Sequence, residues 1–344
     1  MNSKTWIFYV IGISLLITGA IISFNYFINP YGVFKHDRDD KKFVKNHTIN
    51  SEITKFYYAI DADPEVLMIG TSRVEHINPK YLEKYTSGKV YNLAVKGSSI
   101  YRQYNLMNYF IEHFDIKEIY LGLDFFSFSP VYVEKSIKNT RYDNYFINDY
   151  LDSLLSVRTF RKSIKTYKDV KNKAKSQLDL FTGWDSEYKK EKLLKSNGLK
   201  WLKKNIDSSF PNFGVDKNFF DYNEFKNPKS IDKAFDTLEL MMSICEKNNV
   251  KLKIFTTPLY YKVYEVINLR GYGDTYKYWK NRLKKYNQIY DFNYKNSVTS
   301  DYASYIDASH FRSFVGELIF AKMNNDKIDK LPNDFGRLLL SEEQ

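Results

Sequence analysis

The apolar positions of this chain fall into three kinds of run. The first is unbroken. Residues 5–28 read TWIFYVIGISLLITGAIISFNYFI, without one charged side chain. At helical rise that run is long enough to cross a bilayer core. Trp6 and Tyr9 near one end, with Tyr26 and Phe27 near the other, resemble interfacial aromatic anchors. The rival reading is a secretory signal peptide, whose apolar core is shorter and ends at a small-x-small cleavage site. The residues after Ile28 are NPYGVF, so an uncleaved anchor is the expectation. The second kind of run is short and strand-like: EVLMIG (65–70), KVYNLAV (89–95), the centre of IKEIYLGLDFF (116–126) and VKLKIFTTP (250–258). Such near-continuous apolar runs suit strands buried on both faces. The third kind has helical spacing, in SSIYRQYNLMNYFIEHF (98–114), SIDKAFDTLELMMSICEKNN (230–249) and FVGELIFAKM (314–323). Strands alternating with helices predict an α/β fold, a mainly parallel sheet with helices on both faces.

Residues 129–227 break this rhythm. They are rich in Lys, Tyr, Asn and Asp, and hold two helix-like stretches, YFINDYLDSLLSVRTF (145–160) and KKEKLLKSNGLKWLKKNI (189–206). The expectation is a helical insertion that acts as a lid or cap, with a plain solvated helical face as the alternative. The chain then divides into an anchor at 1–30, a juxtamembrane stem at 31–63 and an α/β domain at 64–335 that carries the insertion.

Charge changes the picture a little. Lys and Arg number 52 and Asp and Glu 41, so the balance is 52 − 41 = +11. That favours anionic surroundings. The basic residues are dispersed among acidic ones and no nucleic-acid-binding signature is present, so nucleic acid is not an expected partner. Lys4 precedes the apolar run, and Lys35, Arg38, Lys41, Lys42 and Lys45 come after it. A positive-inside count alone puts the rest of the chain in the cytoplasm, yet long domains translocate largely regardless of charge. Aromatics make up 17% of the chain, with 30 Tyr and 26 Phe. That suits carbohydrate or lipid-interface contact, and codon bias is the plainer alternative. The one cysteine, Cys245, lies on a helical apolar stripe and reads as a core thiol. The five histidines and that cysteine have no metal-ligand spacing, and no phosphate-cradling glycine loop appears. Neither metal nor cofactor is expected.

One feature of the first core strand carries chemistry. It runs into Gly70-Thr71-Ser72-Arg73, which sets a serine just past a strand's carboxyl end, where α/β sheets bind ligands. A serine hydroxyl needs a base. His36 and His47 fall in the stem, His76 four residues past Ser72, and His113 at a helix end. His310 stands near the end of the chain with Asp307 three residues before it. An Asp-x-x-His turn can set a carboxylate against the ring nitrogen that does not face the serine. A surface Asp capping a helix is the alternative.

Together these motifs resemble the SGNH (GDSL-like) hydrolase superfamily, and more narrowly its membrane-anchored branch with Gly-x-Ser-Arg at the nucleophile. Gly70 to Arg73 match its first block and Asn92 to Gly97 its second. Asp307 and His310, followed by Phe311, match its last. The likeness covers about 65–126 and 251–323. It implies a flavodoxin-like sheet, a triad of Ser72, His310 and Asp307, and an oxyanion hole from the N–H groups of Ser72 and Gly97 with Asn92. The third block usually carries an Asn after Gly-x, where GLDFF places Asp124. An ionised carboxylate cannot donate a hydrogen bond, so Asp124 is expected to pair with Arg73 or to serve structure. The resemblance further implies serine acyl transfer outside the membrane, to a cell-surface polysaccharide or teichoic-acid-like polymer, beside a multispanning membrane O-acyltransferase. A carbohydrate esterase with the same triad and an inactive glycan-binding scaffold are the alternatives.

Overall fold

The computed structural model of the protein describes residues 3–37, 51–172, 178–186, 188–209, 223–286 and 288–340. Residues 38–50, with Arg38, Lys41, Lys42, Lys45 and His47 of the stem, lie outside them. The chain forms two compact units, one from Met1–Asp61 with Asn139–Ser176, the other from Ala62–Lys138 with Gln177–Gln344.

The second unit is an α/β domain built on a six-stranded sheet. Its strands are β1 (Val66–Ile69), β2 (Val90–Asn92), β3 (Glu118–Leu123), β4 (Lys251–Thr256), β5 (Ile289–Asp291) and β6 (Arg337–Leu339). They lie in the order β2-β1-β3-β4-β5-β6. The first five pair in parallel, and β6 closes the edge antiparallel to β5. All four residues of β1 are buried, as its unbroken apolar run requires. The order reverses at β1.

Helix Ile100–His113 starts where Ser99 Oγ accepts the Arg102 N–H at 3.1 Å. It buries Leu106, Met107, Phe110 and Ile111 and packs against helix Asp232–Lys247. That helix buries Phe235, Leu238, Met241 and Cys245. Each such side chain contributes about 1.5–3 kcal/mol on leaving water. Burial pushes the Cys245 thiol up to about 12, which suits a structural cysteine. Helix Ser313–Met323 covers another part of the sheet, with the Phe320 ring edge-on to Tyr120 at 5.5 Å and to Phe255 at 6.3 Å.

The first unit corrects the expected division of the chain. Its long helix, Ser3–Ile28, has the length and apolarity to cross a membrane. Its last turns are built into the fold. Asn25 is fully buried, donates to the Leu154 carbonyl at 2.9 Å and accepts from Ser163 Oγ at 2.9 Å. The stretch expected as one helix over 145–160 breaks at Ser156. There the Ser156 side chain caps a new helix, giving Tyr145–Leu155 and Val157–Lys171. The stem is not a plain linker either: it holds helix Ser51–Ala62. In that helix Glu52 accepts Arg141 Nη1 at 2.8 Å, and Phe56 stacks on Tyr145 at 4.5 Å. So 139–172 belongs with the apolar helix rather than with a lid, while 178–186 belongs with the sheet. Pairings 89 to 138 residues apart leave no local pattern in sequence. Helix Tyr188–Ser209, expected at 189–206, is interrupted at Gly198, where φ is +75°.

Candidate active site

The site lies at the carboxyl ends of β1 and β3, where the strand order switches. Gly70 follows β1. Its φ is not in the left-handed region, so sharp turning is not what selects glycine there. Space is: a Cβ on Gly70 would meet Val74 Cγ2 at 2.4 Å, and one on Gly122 would meet the same methyl at 2.3 Å. Val74 wedges between two strands that only glycine backbones let approach. It thereby seats the short helix Ser72–Glu75. Thr71 caps that helix, accepting the Arg73 N–H. Ser72 holds its first position, where the backbone N–H has no intrahelical acceptor.

His310 arrives from 238 residues away, with Nε2 2.8 Å from Ser72 Oγ. Its loop is closed by a Tyr305–Phe311 bridge, with the Ile306 N–H on the His310 carbonyl at 2.8 Å. The rings of Tyr305 and Phe311 are fully buried and fix the loop. Asp307 Oδ1 accepts three hydrogens at 2.9 Å, from the backbone N–H groups of Ser309 and His310 and from His310 Nδ1. Oδ2 lies 3.1 Å from the same Nδ1. Nδ1 is therefore the protonated nitrogen, and Nε2 presents a lone pair to the serine hydroxyl. Such an arrangement can take a proton from Ser72 and return it to a leaving group.

Arg73 joins the two halves. It is 5% exposed and pairs through Nη1 with Asp124, which is 2% exposed. Its Nε donates to the Ser309 carbonyl at 2.8 Å and its Nη2 to Ser309 Oγ at 2.6 Å. Burial pulls the guanidinium down to about 10, opposed by the nearby Asp307 charge, and it stays cationic at neutral pH. Asp124 also accepts from Thr71 Oγ1 at 3.0 Å and from the Phe126 N–H at 3.1 Å. Its carboxylate is wholly occupied as an acceptor, which is the pairing expected of it. Ser309 is a contributor that the sequence motif passes over. Its only mark there is that it directly precedes the histidine.

Asn92 is a correction. Its side-chain amide donates to the carbonyls of Val74 at 2.8 Å, Ile77 at 3.0 Å and Glu75 at 3.4 Å. It is fully buried and pins the end of the Ser72–Glu75 helix instead of facing a reacting oxygen. Gly97 turns at φ +61°, which favours glycine. Its loop is tied to the Gly70 carbonyl by the Val95 N–H at 3.1 Å and Ser98 Oγ at 2.9 Å.

A second group, of which the sequence singles out only His76, packs beside the pair. The His76 ring is edge-on to His310 at 5.2 Å, and its Nδ1 meets the Asp185 carbonyl at 3.2 Å. Trp184 Nε1 donates to the His76 carbonyl at 3.1 Å. Lys96 Nζ reaches Asp185 at 2.6 Å and Glu75 at 3.8 Å. So the 178–186 turn is part of this wall. Among the described residues no group of three or more His, Cys, Asp or Glu side chains could hold a metal ion. No protein-family model matches this chain, and no curated protein matches it either.

Proposed function

We propose that the protein is a membrane-anchored serine O-acyltransferase of the SGNH-hydrolase type, acting outside the cytoplasm on a cell-surface polysaccharide or teichoic-acid-like polymer. The observation that carries this reading is the relay from Ser72 Oγ through His310 to Asp307, closed across the length of the domain at 2.8 and 2.9 Å. The β2-β1-β3-β4-β5 order supports the flavodoxin-like assignment. Ser72 Oγ attacks an acyl carbonyl as its proton passes to His310 Nε2. Asp307 stabilises the imidazolium. The N–H groups of Ser72 and Gly97 are the oxyanion donors of this reading, each worth a few kcal/mol. The leaving group takes the proton and an acyl-serine remains; His310 then deprotonates an acceptor hydroxyl that attacks the acyl carbon, the Ser72 Oγ–acyl bond breaks, and Ser72 Oγ takes the proton back from His310.

Three further features support the acceptor and the location. The apolar helix is held in the fold by Asn25, which favours a retained anchor over a cleaved signal. The +11 balance suits an anionic polymer. The resemblance in motif is to anchored envelope enzymes, with a multispanning membrane O-acyltransferase as the partner that delivers the acyl group. The test is surface-glycan acyl content in cells carrying Ser72→Ala, Asp307→Ala or His310→Ala. The expected outcome is a fall in all three, with the proteins still in the membrane. A rise would make the protein a deacylase, and no change in any variant would overturn the triad.

A further inference from the structure

The helical pair that grips the apolar helix is built inside out. Helix Tyr145–Leu155 buries Tyr145, Asp149 and Ser153, and helix Val157–Lys171 buries Thr159, Ser163 and Thr166. Meanwhile Ile147, Leu151 and Leu155, spaced four apart on one stripe, are 57%, 52% and 54% exposed, and Val157 beyond the turn is 62% exposed. A helix in water turns such a stripe inward. Polar side chains between helices with apolar ones outside are the arrangement that a lipid surrounding favours. The second helix adds exposed Arg158, Arg161, Lys165, Lys168 and Lys171, a dense cationic face. Burial and the neighbouring Lys165 and Arg158 charges lower the Lys162 ammonium.

The depth fits. A bilayer core takes about 20 helical residues. Counted from Thr5, that reaches about residue 24, beside Asn25, the residue that holds Leu154 and Ser163. The turn at Leu155–Val157 therefore meets the apolar helix at the membrane boundary.

We infer that residues 145–171 form a second membrane contact. The Ile147–Leu151–Leu155 stripe and Val157 seat in the headgroup–acyl boundary of the bilayer that Ser3–Ile28 crosses, and the basic helix lies on anionic headgroups. The apolar stripe gains from burial and the cations from the surface potential. This rests on the reading of Ser3–Ile28 as an anchor.

The test uses the full chain in nanodiscs, with an environment-sensitive dye on Leu155→Cys or Leu16→Cys. Cys245 stays, being buried. Nitroxide lipids serve as quenchers, with and without phosphatidylglycerol, and nanodiscs without nitroxide set the baseline. The expected result is quenching at positions 16 and 155. In phosphatidylglycerol, Arg158→Glu with Arg161→Glu and Lys165→Glu should abolish the quenching at 155. If 155 stays at the baseline while 16 is quenched, the second contact is wrong and the anchor stands. If 16 is also unquenched, the anchor itself fails. Quenching at 155 that ignores both lipid charge and the reversed residues overturns the anionic-headgroup part.

Discussion

Two largely buried arginines, one in each unit, use the same physical device to different ends. Arg141 is 10% exposed and directs its donors to two carboxylates. Nε and Nη2 take Asp149 at 2.7 and 2.9 Å, and Nη1 takes Glu52 at 2.8 Å. It also sits over the rings of Tyr145 and Phe56 at 4.7 and 5.2 Å. Arg73 gives one edge to the Asp124 carboxylate and the other to Ser309, inside the turn that carries His310. Arg141 thus ties helix to helix, and Arg73 ties the serine's own helix to the histidine's loop. Burial and pairing are equal in kind, so they do not mark a functional arginine. What its partners carry does.

Breaking each clasp should separate them. Removing one partner of a buried ion pair costs about 3–5 kcal/mol, because a charge is left buried and unpaired. Arg73→Ala has the largest expected effect. It should lose that much stability, and the folded fraction should also lose about 100-fold in Ser72 reactivity, since small misplacements of reacting groups cost that much. Denaturant unfolding and the rate of labelling by a serine-directed fluorophosphonate measure the two. Unchanged labelling of the folded fraction would make Arg73 a purely structural residue. Arg141→Ala should show the stability loss alone, about 3–5 kcal/mol, with Ser72 labelling as in the parent chain. A slowed Ser72 there would erase the contrast between the arginines.

The same contrast explains what was legible in sequence. β1 to β4 stand out because a strand buried on both faces is apolar throughout. β5 and β6 are three residues each. β5 ends on Asp291, fully buried and paired with Lys280, Arg337, Thr256 Oγ1 and the Asn293 N–H. Nothing in IYD or RLL announces a strand. Ser72, Asp307 and His310 were readable because the chemistry fixes residue types at fixed short spacings. Asn92 misled for a related reason. A motif gives the residue but not the direction of its amide, and three backbone carbonyls claim that amide here. The pairing of the apolar helix with 139–172 was illegible because polar contacts such as Asn25 with Ser163 carry no hydrophobic period. The break at Ser156 was within reach, since a serine whose side chain caps the Thr159 N–H three residues on is a helix-start signal.

Asp124→Asn gives the smallest expected effect and the finest test of the Arg73 clasp. The variant restores the residue type that the resemblance leads one to expect after Gly-x, at almost the same volume. Were this position aimed at the oxyanion, a new amide donor there would raise Ser72 reactivity. The geometry argues the other way. The side chain accepts from Thr71 Oγ1, the Phe126 N–H and Arg73. An asparagine oxygen can keep one or two of these, but its NH₂ must then face a guanidinium or a hydroxyl hydrogen. Arg73 would keep Ser309 and exchange its carboxylate for a neutral amide oxygen. The cost should be about 1–3 kcal/mol, that of a buried polar group left unsatisfied, with Ser72 labelling slower than in the parent chain. Faster labelling would show that residue 124 reaches the reacting oxygen, and that Arg73 holds its carboxylate away from a donor's role.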